Sequence, residues 1–301
     1  MTQARPILPF LSVTGGIATF SLMDALMKRA SIETGVYNAL LLRAAVGSAL
    51  MLPIWLLARG RWPALPVLRL HMLRSAVAAA MAGLFFWGLV RLPMAVAMAL
   101  SFISPLVALY LAAVVLGEKI RSTAILASLF GLAGVSVIVA ARLGEGAGPA
   151  DSAPGIAAVL LSAVFYAWNL ILQRQQALVS TPIDVALFQN LFVGLILIVG
   201  APWLAAWPSV AALRDVSGSA VLAAVSLMLL SWGYARAEAQ ALVPLEYTAF
   251  VWAALAGWFW FGEAVTASTV AGAALIVLGC WIATRRTGGP HVPAANLPPA
   301  P

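Results

Sequence analysis

Charge is scarce in this sequence. Of 301 residues, 9% are Asp, Glu, Lys or Arg and 63% are hydrophobic, whereas a soluble domain carries roughly 25% charged residues. So few charges cannot cover a water-facing surface, and the chain must be solvated by lipid. Cysteine is scarcer still. Cys280 stands alone, which excludes an intrachain disulfide. Only two histidines occur, His71 and His291, too few for a metal-ligand cluster. A GxxxxGK[ST] phosphate loop and a nucleotide-cofactor fingerprint are also missing. No catalytic residue, no cofactor and no metal is expected. The formal net charge of +7 does not point to nucleic acid, because the arginines sit singly at the ends of apolar runs. That is how a membrane protein marks its cytoplasmic side.

What is abundant is apolar length. Ten runs follow one another: Ile7–Lys28, Val36–Leu57, His71–Val90, Met94–Leu116, Arg121–Ala141, Gly155–Gln173, Ile183–Ala201, Ser219–Arg236, Val243–Phe261 and Thr266–Thr284. Most match the roughly 17–25 residues that a helix needs to cross the hydrocarbon core. Lipid offers no partner to an unpaired backbone group, and these runs do not alternate as barrel strands do, so helices are expected. The first run is too long for the core of a cleaved leader, about 7–15 residues, and it carries Asp24. The fold class is an all-α membrane protein of ten transmembrane helices. The segment 287–301 is a Pro/Ala tail expected to be disordered and cytoplasmic.

The chain repeats itself. FWGLVRLPMAVAMALSFISPLVALYLAAVVLGE, Phe86–Glu118, corresponds to SWGYARAEAQALVPLEYTAFVWAALAGWFWFGE, Ser231–Glu263. Trp87 and Trp232, Arg91 and Arg236, and Glu118 and Glu263 are each 145 positions apart. Phe20–Arg29 aligns with Phe165–Arg174 at the same offset, and two further residues then place Arg43 on Asn190 and Gly47 on Gly194. Self-similarity of this kind predicts two units, 7–141 and 155–284, of five helices each. An odd number of helices makes the second unit enter from the opposite side, giving an inverted repeat about an axis in the membrane plane.

With the N-terminus in the cytoplasm, eleven basic residues fall inside: Arg5, Arg59, Arg61, Arg69, Arg74, Lys119, Arg121, Arg174, Arg236, Arg285 and Arg286. Five fall outside: Lys28, Arg29, Arg91, Arg142 and Arg214. The excess places both termini in the cytoplasm.

Two five-helix halves, each closing with Gly-Glu and then a Gly-containing helix (Gly131, Gly134; Gly272, Gly279), resemble the EamA-like branch of the drug/metabolite transporter superfamily. MDALMK in the first helix and PLEYTAFVWAALAGWFWFGE in the ninth look most like members proposed to carry riboflavin or S-adenosylmethionine. The resemblance spans residues 10 to 285. It implies an inner-membrane carrier that does not hydrolyse ATP, without fixing the substrate; the inverted repeat suggests alternating access, and Arg43 and Glu246 as opposite poles suit a small polar or zwitterionic metabolite. A non-transporting receptor or assembly subunit and a membrane-embedded enzyme are the alternatives. A small-molecule substrate and the bilayer are the expected partners, with a proton as a candidate coupling ion. Monomer and homodimer both stay open.

Charges inside apolar helices nominate the site, since each costs about 2.5–3.5 kcal/mol at the bilayer centre and faces a cavity or a partner. Asp24 and Arg43 lie on helices joined by a tight hairpin read at Ile32/Glu33. They are therefore expected about 3 Å apart in depth, as an ion pair or around one cavity. Glu246, with Tyr247 beside it, is expected about one turn inside the ninth helix, after Pro244. Either it serves the helix dipole or it contacts substrate. Asn169, the counterpart of Asp24, and Gln189 and Asn190 are the polar candidates. They either bind substrate or hydrogen-bond between helices. Pro105 should kink the fourth helix, and with Phe250 as its counterpart the kink should be asymmetric. Glu118 and Glu263 read as carboxylates that satisfy free helix N–H groups after a terminating glycine.

Overall fold

The structure, a computed structural model, describes residues 7–104, 106–108, 110–111, 122–144, 149–177, 179–234 and 245–285. Among these residues every regular element is an α-helix: α1 (Ile7–Thr34), α2 (Val36–Leu57), α3 (Leu65–Leu89), α4 (Met94–Ser101), α5 (Ser122–Gly144), α6 (Pro149–Ala177), α7 (Pro182–Ile198), the short α8 (Ala201–Leu204), α9 (Val210–Tyr234), α10 (Ala249–Phe261) and α11 (Ala267–Arg285). Five helices are long and apolar enough to cross a membrane, and five shorter apolar helices of 10–17 residues occupy the remaining runs. Large side chains such as Met228, Trp258 and Val199 are exposed. That is the outward apolar surface a lipid-solvated bundle requires. The protein is an all-α membrane protein.

Local chemistry sets the helix ends. Gly35, at φ 82°, separates α1 from α2 in a conformation that a side chain disfavours. Gly262, at φ 64°, closes α10 as a left-handed cap. Thr181 and Asp184 form a capping box at the start of α7, with Pro182 in the first turn. The hairpin expected at Ile32/Glu33 therefore turns at Gly35, because α1 continues through Thr34 until a residue tolerates positive φ. Asp24 is then 11 residues before the turn (35 − 24) and Arg43 is 8 after it (43 − 35).

Helix boundaries follow the 145-residue offset. Adding it to Leu65–Leu89 gives Val210–Tyr234, the full span of α9, and adding it to Ser122 gives Ala267, where α11 begins. Packing follows the same offset. α1 lies against α9 as α3 lies against α6. Gly88 presses on Gly155 O and Val159, where a Cβ would stand 2.7 and 2.6 Å away; Gly233, 145 positions on, presses on Pro9 O and Val13 at 3.0 and 2.5 Å. The Ser162 hydroxyl donates to Met81 O (2.9 Å) across α6 and α3. Ser226, 145 beyond Met81, donates to Gly16 O (2.7 Å) across α9 and α1. At the centre α2 meets α7 and α5 meets α11. Glu118 and the tail 287–301 lie outside the described residues.

Candidate functional site

Two helices break at equivalent places. α4 stops at Ser101, and Phe102–Ile103 form a turn before helix resumes. Ahead of α10 the residues Leu245–Glu246 are helical and Tyr247–Thr248 form a turn. The offset carries Phe102–Ile103 onto Tyr247–Thr248. Hydrogen bonding tightens identically at both: Ile103 N donates to Leu100 O (3.2 Å) and Thr248 N to Leu245 O (2.9 Å). A turn is thus present in both units at equivalent positions. Pro105, on which the expected kink rests, lies outside the described residues. Glu246 and Tyr247 accordingly sit before α10 rather than one turn inside it.

The two breaks meet. The Phe102 and Tyr247 rings pack edge to face, with centroids 5.4 Å apart and planes at 88°. Irregular backbone at membrane depth is tolerated where it is buried in protein or lines a cavity, and such breaks frame transporter sites.

Charged and polar candidates of both signs lie on the helices of this bundle. Asp24 on α1 is 3% exposed and makes no hydrogen bond among the described residues. Arg43 on α2 acts on its charge, yet no ion pair within 4.0 Å joins them. Arg43 is half-buried. Tyr166 on α6 is 43% exposed although Val159, Ser162 and Asn169 on the same face are buried, and Glu246 acts on it electrostatically. Exposed surface on an otherwise buried helix face opens on space within the bundle rather than on lipid. Tyr166 shares the inward face of α6 with Ser162, four residues before it, and Asn169, three after it, both of which bond to α3. It was absent from the sequence candidates, because a tyrosine in an apolar run reads as an interfacial anchor.

The neutral candidates separate. Gln189 is half-buried and makes no hydrogen bond among the described residues. Asn190 donates to Ala186 O (2.8 Å) and presses on Gly47 where α7 crosses α2. Asn169 is buried and accepts from Arg74 Nε (3.2 Å).

The two ends of the bundle differ. At one end Lys28 of α1 forms a buried ion pair with Glu263, which follows α10. Lys28 also donates to Leu92 O (2.8 Å) and lies 4.7 Å from the centre of the Phe261 ring. The other carboxylate oxygen of Glu263 accepts from Met94 N (2.7 Å), capping α4, which has no cap of its own from Pro93. Glu263 thus satisfies a free helix N–H as its sequence position suggests, on a helix 169 residues away. At the opposite end Arg74 of α3 donates to Asn169 and Gln176, Gln176 meets His71, and His71 meets Ser180 (3.1 Å). Sequence reasoning counted Arg74 as a cytoplasmic-face marker. The structure buries it within α3, 6% exposed.

The pattern of the EamA-like transporter family matches residues 9–140 and again 153–285. The chain is 29% identical over 279 residues to proteins named Pseudopaline exporter CntI from two Pseudomonas aeruginosa strains, UCBPP-PA14 and PAO1, covering 89% of this chain and 93% of each relative. A solved structure described as "Crystal structure of protein" superposes with a TM-score of 0.61 at 24% identity, over 93% of this chain and 99% of that one.

Proposed function

The chain belongs to the EamA-like transporter family, and from that premise we propose that it exports a small zwitterionic metabolite across the inner membrane by alternating access. It is a membrane transporter and not an enzyme. In this reading residues 7–141 and 155–284 are inverted five-helix repeats whose axis passes between Phe102 and Tyr247. A residue and its counterpart, 145 positions apart, touch only near such an axis. That contact, with both breaks at one point, is the observation supporting a central site.

Substrate recognition falls to the groups around it. Arg43 offers a planar fork suited to a carboxylate, and Glu246 offers the complementary negative charge. Tyr247, Phe102 and Tyr166 supply aromatic surface. Asp24, buried and without a hydrogen bond among the described residues, is the proposed carrier of a coupling proton.

Both termini are cytoplasmic in this reading, on the excess of basic residues there. The Lys28–Glu263 pair then closes the periplasmic end. Its counterparts by the offset are Gln173 and Glu118, and a neutral glutamine in place of the lysine cannot make an ion pair with a carboxylate. The asymmetry favours a carrier that rests closed to the periplasm and loads from the cytoplasm, and the relatives are named as exporters. The test is efflux of a panel of zwitterionic and purely anionic metabolites from proteoliposomes, with and without an imposed pH gradient. Saturable, gradient-driven efflux of zwitterions supports the reading. A panel in which none moves faster than from empty liposomes contradicts it.

A further inference from the structure

We propose that Arg74 is an anion-binding residue at the loading end of the transport path, receiving the carboxylate of the substrate before it reaches Arg43. The inference rests on the reading of the protein as a carrier of zwitterions. It concerns a residue 18 positions before Leu92 (92 − 74). Fifteen of those positions are helical (89 − 74), so at about 1.5 Å per residue Arg74 lies roughly 22 Å along α3 from the end nearest the Lys28–Glu263 closure.

The partners of Arg74 are the first ground. A guanidinium has five N–H donors. Nε is taken by Asn169 and Nη1 by Gln176. Both acceptors are neutral amides. Nη2 has no partner among the described residues, and no carboxylate there pairs with the side chain. A buried positive charge costs several kcal/mol unless an anion answers it. The amides orient the fork without neutralising it. Gln176 is itself held by His71, which Ser180 holds in turn, so the fork is fixed before any ligand arrives.

Position is the second ground. Asn169 lies one turn beyond Tyr166 on the same face of α6, and Tyr166 faces the internal space beside Glu246. Arg74, through Asn169, and Glu246 thus bring one positive and one negative group near Tyr166. The offset pairs Asn169 with Asp24. In one unit the α1-type helix offers an aspartate toward an arginine, and in the other an asparagine toward an arginine. The asparagine leaves Arg74 in need of an anion from outside the chain.

The test uses the full-length protein in detergent, with glutarate as probe and its uncharged diamide, glutaramide, as control, read by thermal shift. Wild type is expected to be stabilised saturably by glutarate and not by glutaramide. Arg74→Gln should weaken the glutarate response at least tenfold, and Arg74→Lys should retain part of it. Asn169→Asp covers the case in which Arg74→Gln fails to fold. It preserves the shape of the Asn169 contact and gives Arg74 an internal counterion, so it should melt at or above wild type and still lose the glutarate response. Equal responses to the two probes, no response in wild type, or an undiminished response in folded Asn169→Asp overturns the proposal. If wild type exports zwitterions from proteoliposomes while Asn169→Asp does so with unchanged KM, the Arg74 assignment alone falls. If wild type exports none, the reading of function falls with it.

Discussion

Phe102 and Tyr247, 145 residues apart in an offset that also relates α3 to α9, touch edge to face with ring centroids 5.4 Å apart. Each ring sits at the break of its helix. The contact therefore couples the two broken helices at the point where the two units would have to move past each other. An edge-to-face pair is worth about 0.5–1.5 kcal/mol beyond its buried area. Phe102→Ala and Tyr247→Ala are each expected to lower transport at least tenfold. A double-mutant cycle on melting stability should give a coupling of about 1 kcal/mol. Additive stabilities would separate the rings energetically.

The closure formed by Lys28 and Glu263 makes a prediction about stability. Its side chains are 4% and 17% exposed. Lys28→Met leaves a carboxylate largely buried, and Glu263→Gln an ammonium, which typically costs about 3–5 kcal/mol. The double variant Lys28→Met/Glu263→Gln should be more stable than either single variant, as chemical denaturation in detergent can measure. A double variant whose loss equals the sum of the two would mean that the pair is not coupled.

Gly257 tests the same closure without touching a charge. A Cβ there would lie 2.5 Å from Glu263 Oε2 and 3.4 Å from Met94 Cβ. Gly257→Ala must displace the carboxylate from the α4 N-terminus, with an expected loss of about 1–3 kcal/mol. A wild-type melting temperature for this variant would show that the Glu263 position is freely adjustable.

Asp24 and Arg43 give a prediction in which function and stability part. Neither forms an ion pair with the other within 4.0 Å, so Asp24→Asn breaks no salt bridge and removes a buried charge. Its melting temperature should equal or exceed that of wild type while gradient-driven transport falls at least tenfold. Arg43→Gln should raise the substrate KM instead. Loss of folding in Asp24→Asn would mark the carboxylate as structural.

Much of this was legible from the sequence, for reasons that can be named. The offset joining Trp87 to Trp232 foretold that α3 and α9 share boundaries, because equivalent apolar runs must bury equivalent faces. Asp24, Arg43, Glu246 and Tyr247 stood out because polar groups are costly in lipid. Other features were hidden by sequence distance. Lys28 counted as a charge on the disfavoured side, and its partner Glu263 lies 235 residues on. Arg74 passed for an orientation signal because the apolar run was read from His71, whereas α3 begins at Leu65 and carries Arg74 well past its first turn. The break at Tyr247 carries no proline, and only its equivalence to Phe102 in three dimensions identifies it.

The central claim is that one internal site opens alternately to the two faces of the membrane, with the Lys28–Glu263 pair closing one of them. It is tested by placing a thiol in the internal space, as Tyr166→Cys in a Cys280→Ser background, and labelling it with a membrane-impermeant maleimide from each side of oriented vesicles. The account predicts labelling mainly from the face opposite Glu263, and at least a tenfold gain from the Glu263 face once Glu263→Gln is added. Labelling from the same single face in both backgrounds would contradict it.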